Sequence, residues 1–304
     1  MIDLSTELAG IRLRNPLVAA SGVFGYGEEY ARLGDIRWFG AVSVKGTTLK
    51  PREGNPPPRV CETPSGMLNS IGLENPGAEV AAREKIPWLR QFGVPIIVNV
   101  SGNTYEEFSE LGTIFSDVEG ISALEVNVSC PNVSSGGMAF GMDARSCYRA
   151  ALSVRKTWKG PLIVKLTPNS PDIVAIARAA VEGGADILSL VNTLIGMAID
   201  IKTRRPVLGN VTGGLSGPAI KPVAIRCVYQ VAQAVQVPII GMGGVSSYRD
   251  VLEFLMAGAT AVGIGAGLLV DPLLPKRILA DLEDYCQEEG IVNLSTLTGC
   301  AWKG

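Results

Sequence analysis

The sequence predicts a single (β/α)₈ barrel, an α/β fold with inserted loops at its C-terminal mouth. Two observations carry this expectation. Short β-branched apolar runs recur eight times along the 304 residues and alternate with amphipathic stretches. Each run then ends on, or is followed by, polar or glycine positions. Near-continuous apolar runs belong to a parallel sheet covered by helices, and a count of eight favours closure over an open doubly wound sheet.

The runs, in order, are Leu17–Ser21, Ala41–Lys45, Ile96–Val100, Leu124–Val128, Leu162–Leu166, Ile187–Val191, Pro238–Gly241 and Ala261–Gly265. Amphipathic stretches lie between them. Ile173, Ile176, Ala177 and Ala180 follow the helix-start signal Ser170-Pro171, and Val251, Phe254, Leu255 and Gly258 follow Ser247. The spacing widens after the second and sixth runs, where long loops would project from the mouth as candidates for substrate recognition. No composition shift marks a linker, so one domain over residues 1–304 is expected.

Composition narrows the function. Hydrophobic residues at 47% and charged residues at 18% describe a chain with ample core. A net charge of −2 without a dense Lys/Arg run argues against nucleic acid as a partner. No apolar run approaches the roughly 18–20 residues that span a bilayer. The stretch Met1–Glu7 carries acids where a secretory signal would carry bases, so a cytoplasmic location is expected. The six cysteines, at 61, 130, 147, 227, 286 and 300, are scattered without a Cys-x-x-Cys pair and read as free thiols. There is no histidine, so proton transfer must fall to Cys, Lys, Tyr or a carboxylate, and the commonest metal ligand is missing.

In a barrel the polar strand ends converge on the mouth, where active sites of this fold are built. Gly241-Met242-Gly243-Gly244 and Gly263-Ile264-Gly265-Ala266-Gly267 close the seventh and eighth strands, where barrels commonly hold a phosphate on backbone N–H groups. Tight turns alone would explain either motif singly. Both motifs in the two expected places imply a phosphorylated ligand. Lys45 and Lys165 each close an apolar strand and could neutralise a carboxylate or an electron-rich ring; Lys165 could instead be a Schiff-base nucleophile, as in barrel aldolases. Asn69, Asn99, Asn127, Asn132 and Asn192 offer paired donors and acceptors suited to the edge of an imide or pyrimidine.

Cys130 lies just beyond the fourth strand in Asn127-Val128-Ser129-Cys130-Pro131-Asn132, ahead of Ser134-Ser135-Gly136-Gly137, glycines that could let a lid close. A thiol there can accept a carbon-bound proton near neutral pH if its thiolate is supported. The other five cysteines read as small buried hydrophobes.

These motifs, with Lys45-Gly46-Thr47-Thr48, Arg52-Glu53-Gly54-Asn55-Pro56, Asn69-Ser70-Ile71-Gly72-Leu73 and Gly213-Gly214-Leu215-Ser216-Gly217, closely resemble the class 1 dihydroorotate dehydrogenases along nearly the whole chain. Cysteine at 130 fits class 1, whereas the membrane-attached class has serine as its base. The stretches Gly136–Gly141 and Gly213–Pro218 look like subtype B, which implies an NAD⁺-linked enzyme of pyrimidine biosynthesis. A fumarate-linked class 1A enzyme is the alternative.

The resemblance implies one FMN per chain, held by Ser21, Lys45, Gly46, Asn99, Asn127, Lys165, Val191, Gly217, Gly243, Gly244, Gly265 and Ala266. Dihydroorotate would lie against Lys45, Asn69, Ser70, Ile71, Gly72, Leu73, Asn127, Asn132, Asn192 and Thr193. Cys130 would remove the C5 proton while a hydride passes from C6 to the flavin, yielding orotate. Lys165 would stabilise charge on the reduced ring. FAD and a 2Fe-2S cluster are expected only on a partner subunit, joined to a homodimer core as a heterotetramer.

Overall fold

All eight expected strands are present in the computed structural model, which describes residues 2–128 and 140–302. They are β1 Leu17–Ala19, β2 Ala41–Thr47, β3 Ile96–Val100, β4 Ile121–Asn127, β5 Leu162–Leu166, β6 Ile187–Leu190, β7 Ile239–Met242 and β8 Ala261–Ile264. Neighbours pair in parallel and β8 returns to β1, closing the barrel. Some bounds differ from expectation. β7 reaches Met242, and Ser21 is the first residue of the short helix Ser21–Phe24 rather than the end of β1.

The outer layer is made by the helical segment 78–90 between β2 and β3 and by α1 Tyr105–Ser116, α2 Ala144–Thr157, α3 Ile173–Glu182, α4 Lys221–Ala232, α5 Tyr248–Ala257 and α6 Leu274–Glu288. Their local start signals are legible. Asp172, rather than Ser170, caps α3 by accepting from the N–H groups of Val174 and Ala175, each at 3.0 Å. Ser247 and Asp250 form a capping box on α5. No described helix is long and apolar enough to cross a membrane.

Residues alternate along each strand between the helix layer and the barrel interior, and the inward ones stack in layers drawn from alternate strands. Ala41, Ala123, Ile187 and Ala261 form the lowest layer, and Val18, Ile97, Ile163 and Ile240 the next. Leu8 and Leu13 join this cluster from the antiparallel hairpin Thr6–Leu8/Ile11–Leu13, which plugs the N-terminal end. The following layer turns polar: Ser43, Glu125 and Ser189 face one another by hydrogen bonds, with Gly263 in phase. A Cβ on Gly263 would lie 2.9 Å from Met242 Cβ, so glycine there makes room for the methionine above. Asn99, Lys165 and Met242 follow at the floor of the mouth, with Ala20.

The two long loops are not independent projections. Val60–Thr63 and Gly66–Asn69 from the β2–β3 segment join Leu194–Gly196 and Gly213–Ser216 from the β6–β7 segment in one four-stranded antiparallel sheet. Gly213–Ser216 pairs directly with Gly66–Asn69, forming a roof at the mouth.

Candidate active site

A cavity of about 420 Å³ lies between the strand ends and this roof. Every residue that the family resemblance assigns to the flavin lines it: Ser21, Lys45, Gly46, Asn99, Asn127, Lys165, Val191, Gly217, Gly243, Gly244, Gly265 and Ala266. Asn69, Ile71, Gly72, Leu73, Asn192 and Thr193 line it too. Ser70 does not. The Ser70 N–H donates to Arg59 O and its carbonyl accepts from Asn55, which turns the hydroxyl into the protein, fully buried. Cys130, Asn132 and the glycines 136–137 lie outside the described residues.

The polar floor is wired from below. Glu125 is 1% exposed, yet both its oxygens are engaged: Ser189 Oγ donates to Oε1 at 2.6 Å, and Ser43 Oγ and Asn99 Nδ2 donate to Oε2 at 3.0 and 2.5 Å. Lys165 Nζ lies 3.9 Å from the same Oε2. An ionised carboxylate only accepts, so Asn99 must turn its amide NH₂ down to Glu125 and its oxygen up. That oxygen accepts from Asn127 Nδ2 at 3.4 Å. The direction of the amide relay is thus dictated by one carboxylate two layers into the barrel.

Lys165 is 5% exposed, and among the described residues its ammonium meets Ser21 Oγ only at 3.5 Å and Glu125 at 3.9 Å. A buried ammonium carries three donors, so this one retains capacity for an acceptor in the cavity. At the rim, Asn69 Nδ2 donates to Gly214 O at 3.3 Å, and Asn192 Oδ1 accepts the Thr193 N–H at 2.8 Å. Asn169 braces this loop by donating to Thr193 O at 3.0 Å and accepting from the Ile195 N–H.

The glycine edge is built at β7. Gly243 and Gly244 have φ of 133° and 76°, conformations that side chains resist, and a Cβ on Gly244 would lie 2.8 Å from Gly217 O. Gly265 differs: a Cβ there would meet only Ala20 Cβ at 3.7 Å, so the space above it opens into the cavity.

A family model described as dihydroorotate dehydrogenase matches residues 3–286. The chain belongs to the dihydroorotate dehydrogenase family. Three relatives, each called dihydroorotate dehydrogenase B (NAD(+)), catalytic subunit, are similar over nearly their full length. That of Geotalea uraniireducens is 52% identical over 98% of this chain and 97% of its own. That of Geobacillus kaustophilus is 51% identical over 100% and 97%. That of Pelobacter propionicus is 51% identical over 98% of each.

Membership in the dihydroorotate dehydrogenases removes the Schiff-base aldolase reading of Lys165. Glu125, inside the fourth apolar run, was not anticipated as a functional residue. The signal was available: a carboxylate in phase with Ala123 and Asn127 on an otherwise apolar strand must face the barrel interior and find partners there. Met67, Val60, Ser216 and Leu269 also line the cavity and were not anticipated.

The remaining cysteines divide. Cys147, Cys227 and Cys286 are buried as expected, and burial pushes each thiol up, Cys147 to about 12 with the Asp143 charge adding to the effect. Cys61 is only partly buried and Cys300 is exposed, correcting the expectation that both are core residues. Cys61 sits on the outermost strand of the roof, where one face is open to solvent.

Proposed function

We propose that the chain oxidises (S)-dihydroorotate to orotate in pyrimidine biosynthesis, as the catalytic subunit of an NAD⁺-linked enzyme with one FMN in the cavity. Convergence carries this reading: two lysines, four amides and a glycine edge from across the chain line one cavity at the barrel mouth. The names of the relatives support NAD⁺ over fumarate as the eventual oxidant. The whole of residues 1–304 would act as one FMN-binding domain.

The residues present fit FMN. The unfilled donor capacity of buried Lys165 suits an electron-rich ring edge, and the glycine edge at Gly243, Gly244, Gly265 and Ala266 suits a phosphate approached by backbone. Ser21, Gly46, Asn99, Asn127, Val191 and Gly217 complete the holding set. When bound, FMN supplies the hydride acceptor. Lys45 and the amides of Asn69, Asn127 and Asn192 orient the carboxylate and imide edge of dihydroorotate, with Ile71, Gly72, Leu73 and Thr193 shaping its space. The roof keeps bulk water from the reacting carbons. Cys130 takes the C5 proton; that role rests on its motif.

The term catalytic subunit in the relatives' names supports a partner that carries electrons onward. FAD and a 2Fe-2S cluster belong on that chain, and a homodimer of this one forms the core of the assembly.

Purified protein should be yellow, release one FMN per chain on denaturation, and bleach on anaerobic addition of dihydroorotate. A preparation that stays colourless after incubation with FMN would overturn the reading.

A further inference from the structure

Glu125 lies beneath the cavity and does not line it, yet it contacts two residues that do. We propose that Glu125 is a positioning residue for dihydroorotate oxidation: it fixes the orientation of the Asn99–Asn127 amides and counterbalances Lys165, setting the charge at the floor of the cavity. The proposal rests on the cavity holding FMN, as argued above.

The layers of the barrel make the case. Both lower layers are apolar, so a carboxylate at this depth gains nothing from water and must be compensated by its neighbours. Ser43 and Ser189 reach it from β2 and β6 within its own layer, and Asn99 and Lys165 from β3 and β5 in the layer above. Four strands therefore converge on one anion. A purely packing role would be met by an apolar side chain, as in the layers below. What the carboxylate adds is polarity: it forces the Asn99 NH₂ downward and leaves Asn99 Oδ1 and Asn127 facing the ligand in a fixed sense.

Its second effect is on charge. The Lys165 ammonium, in the wall of the cavity, would favour the reduced, more negative form of a bound flavin. Glu125, 3.9 Å from the ammonium, opposes that field and moderates the affinity of the bound cofactor for electrons. A moderated acceptor is what a subunit that must pass electrons onward requires.

The test is Glu125→Gln, which keeps the shape and lets the two serine hydroxyls reorient. With FMN bound, the reduction equilibrium measured by dye-linked titration should shift toward the reduced cofactor by about tenfold, about 30 mV for a two-electron couple. Glu125→Asp, which keeps the charge, should shift it less. An unchanged equilibrium in Glu125→Gln would overturn the proposal while leaving the cofactor assignment intact, whereas wild-type protein that binds no FMN would overturn both. Should Glu125→Gln fail to fold, the pair is read by chemical denaturation of Lys165→Met and of Lys165→Met/Glu125→Gln. The double variant should be more stable than Lys165→Met, because the uncompensated buried carboxylate is gone. If the second substitution instead destabilises further, Glu125 does not counterbalance Lys165.

Discussion

Lys221 Nζ donates to Asp250 Oδ1 at 2.6 Å, tying the first turn of α4 to the first turn of α5 beside the glycine edge of the cavity. The other oxygen of Asp250 accepts from the N–H and hydroxyl groups of Ser246 and Ser247. One carboxylate thus caps a helix and anchors the next one. Burial alone would raise its pKa, but the Lys221 ammonium and Ser246 outweigh burial and hold Asp250 below its ordinary 3.8. Burial likewise pulls Lys221 down, and Asp250 and Glu253 more than reverse it, raising Lys221 above 10.5.

Asp250→Ala should therefore cost about 2 kcal/mol at pH 7, a few degrees in Tm. The Asp250 contribution is fully present above pH 3.8 and lost as pH falls through its lower folded value; that of Lys221 is present below pH 10.5 and lost as pH rises through its higher one. Thermal melts should show the gap between wild type and variant narrowing in acid. A gap that widens in acid would contradict the sign.

Leu13→Ala empties part of the plug at the N-terminal end of the barrel, where Leu13 is fully buried. Stability should fall by about 3 kcal/mol. FMN affinity should not change, because the plug is separated from the cavity by the apolar and polar layers. Denaturant melts and an FMN titration on the same variant check both halves.

Gly265→Ala offers the converse. An added methyl would meet only Ala20 Cβ at 3.7 Å, so the apoprotein should melt as wild type does. FMN should bind at least about tenfold more weakly, the scale of one unfavourable contact of about 1.4 kcal/mol. Gly244→Ala, whose Cβ would press on Gly217 O at 2.8 Å, should lose apoprotein stability as well. Fluorescence titration of apoprotein distinguishes the two.

Cys130→Ser should retain FMN yet slow its reduction by dihydroorotate at least about 100-fold near neutral pH, the scale of a lost positioned base. Stopped-flow bleaching under anaerobic single-turnover conditions measures it. Reduction at the wild-type rate would mean that another group takes the proton.

The barrel was legible because strand periodicity and helix start signals are local, and each strand run is present within a few residues of its expected place. The mouth was legible because polar residues ended apolar runs. What stayed hidden was non-local. That the segments around Asn69 and Gly214 would pair across 145 residues of chain has no short-range signature. For Glu125 the strand phase was local and readable but the partners were not: Ser43, Asn99 and Ser189 lie on three other strands, so its compensation is visible only once the barrel is closed. Cys300 illustrates the opposite error: the residue-type tendency pointed to the core, and the side chain is exposed.

The roof sheet also imposes an order on assembly. Its central pairing joins Gly66–Asn69 to Gly213–Ser216, so a chain growing from its N-terminus has half a roof until Gly213–Ser216 has been made, and the cavity still needs Gly265 and Ala266 beyond β8. Closure of the cavity is therefore among the last events in the birth of this molecule, and a chain arrested short of Gly213 lacks both the second half of the roof and the glycine edge.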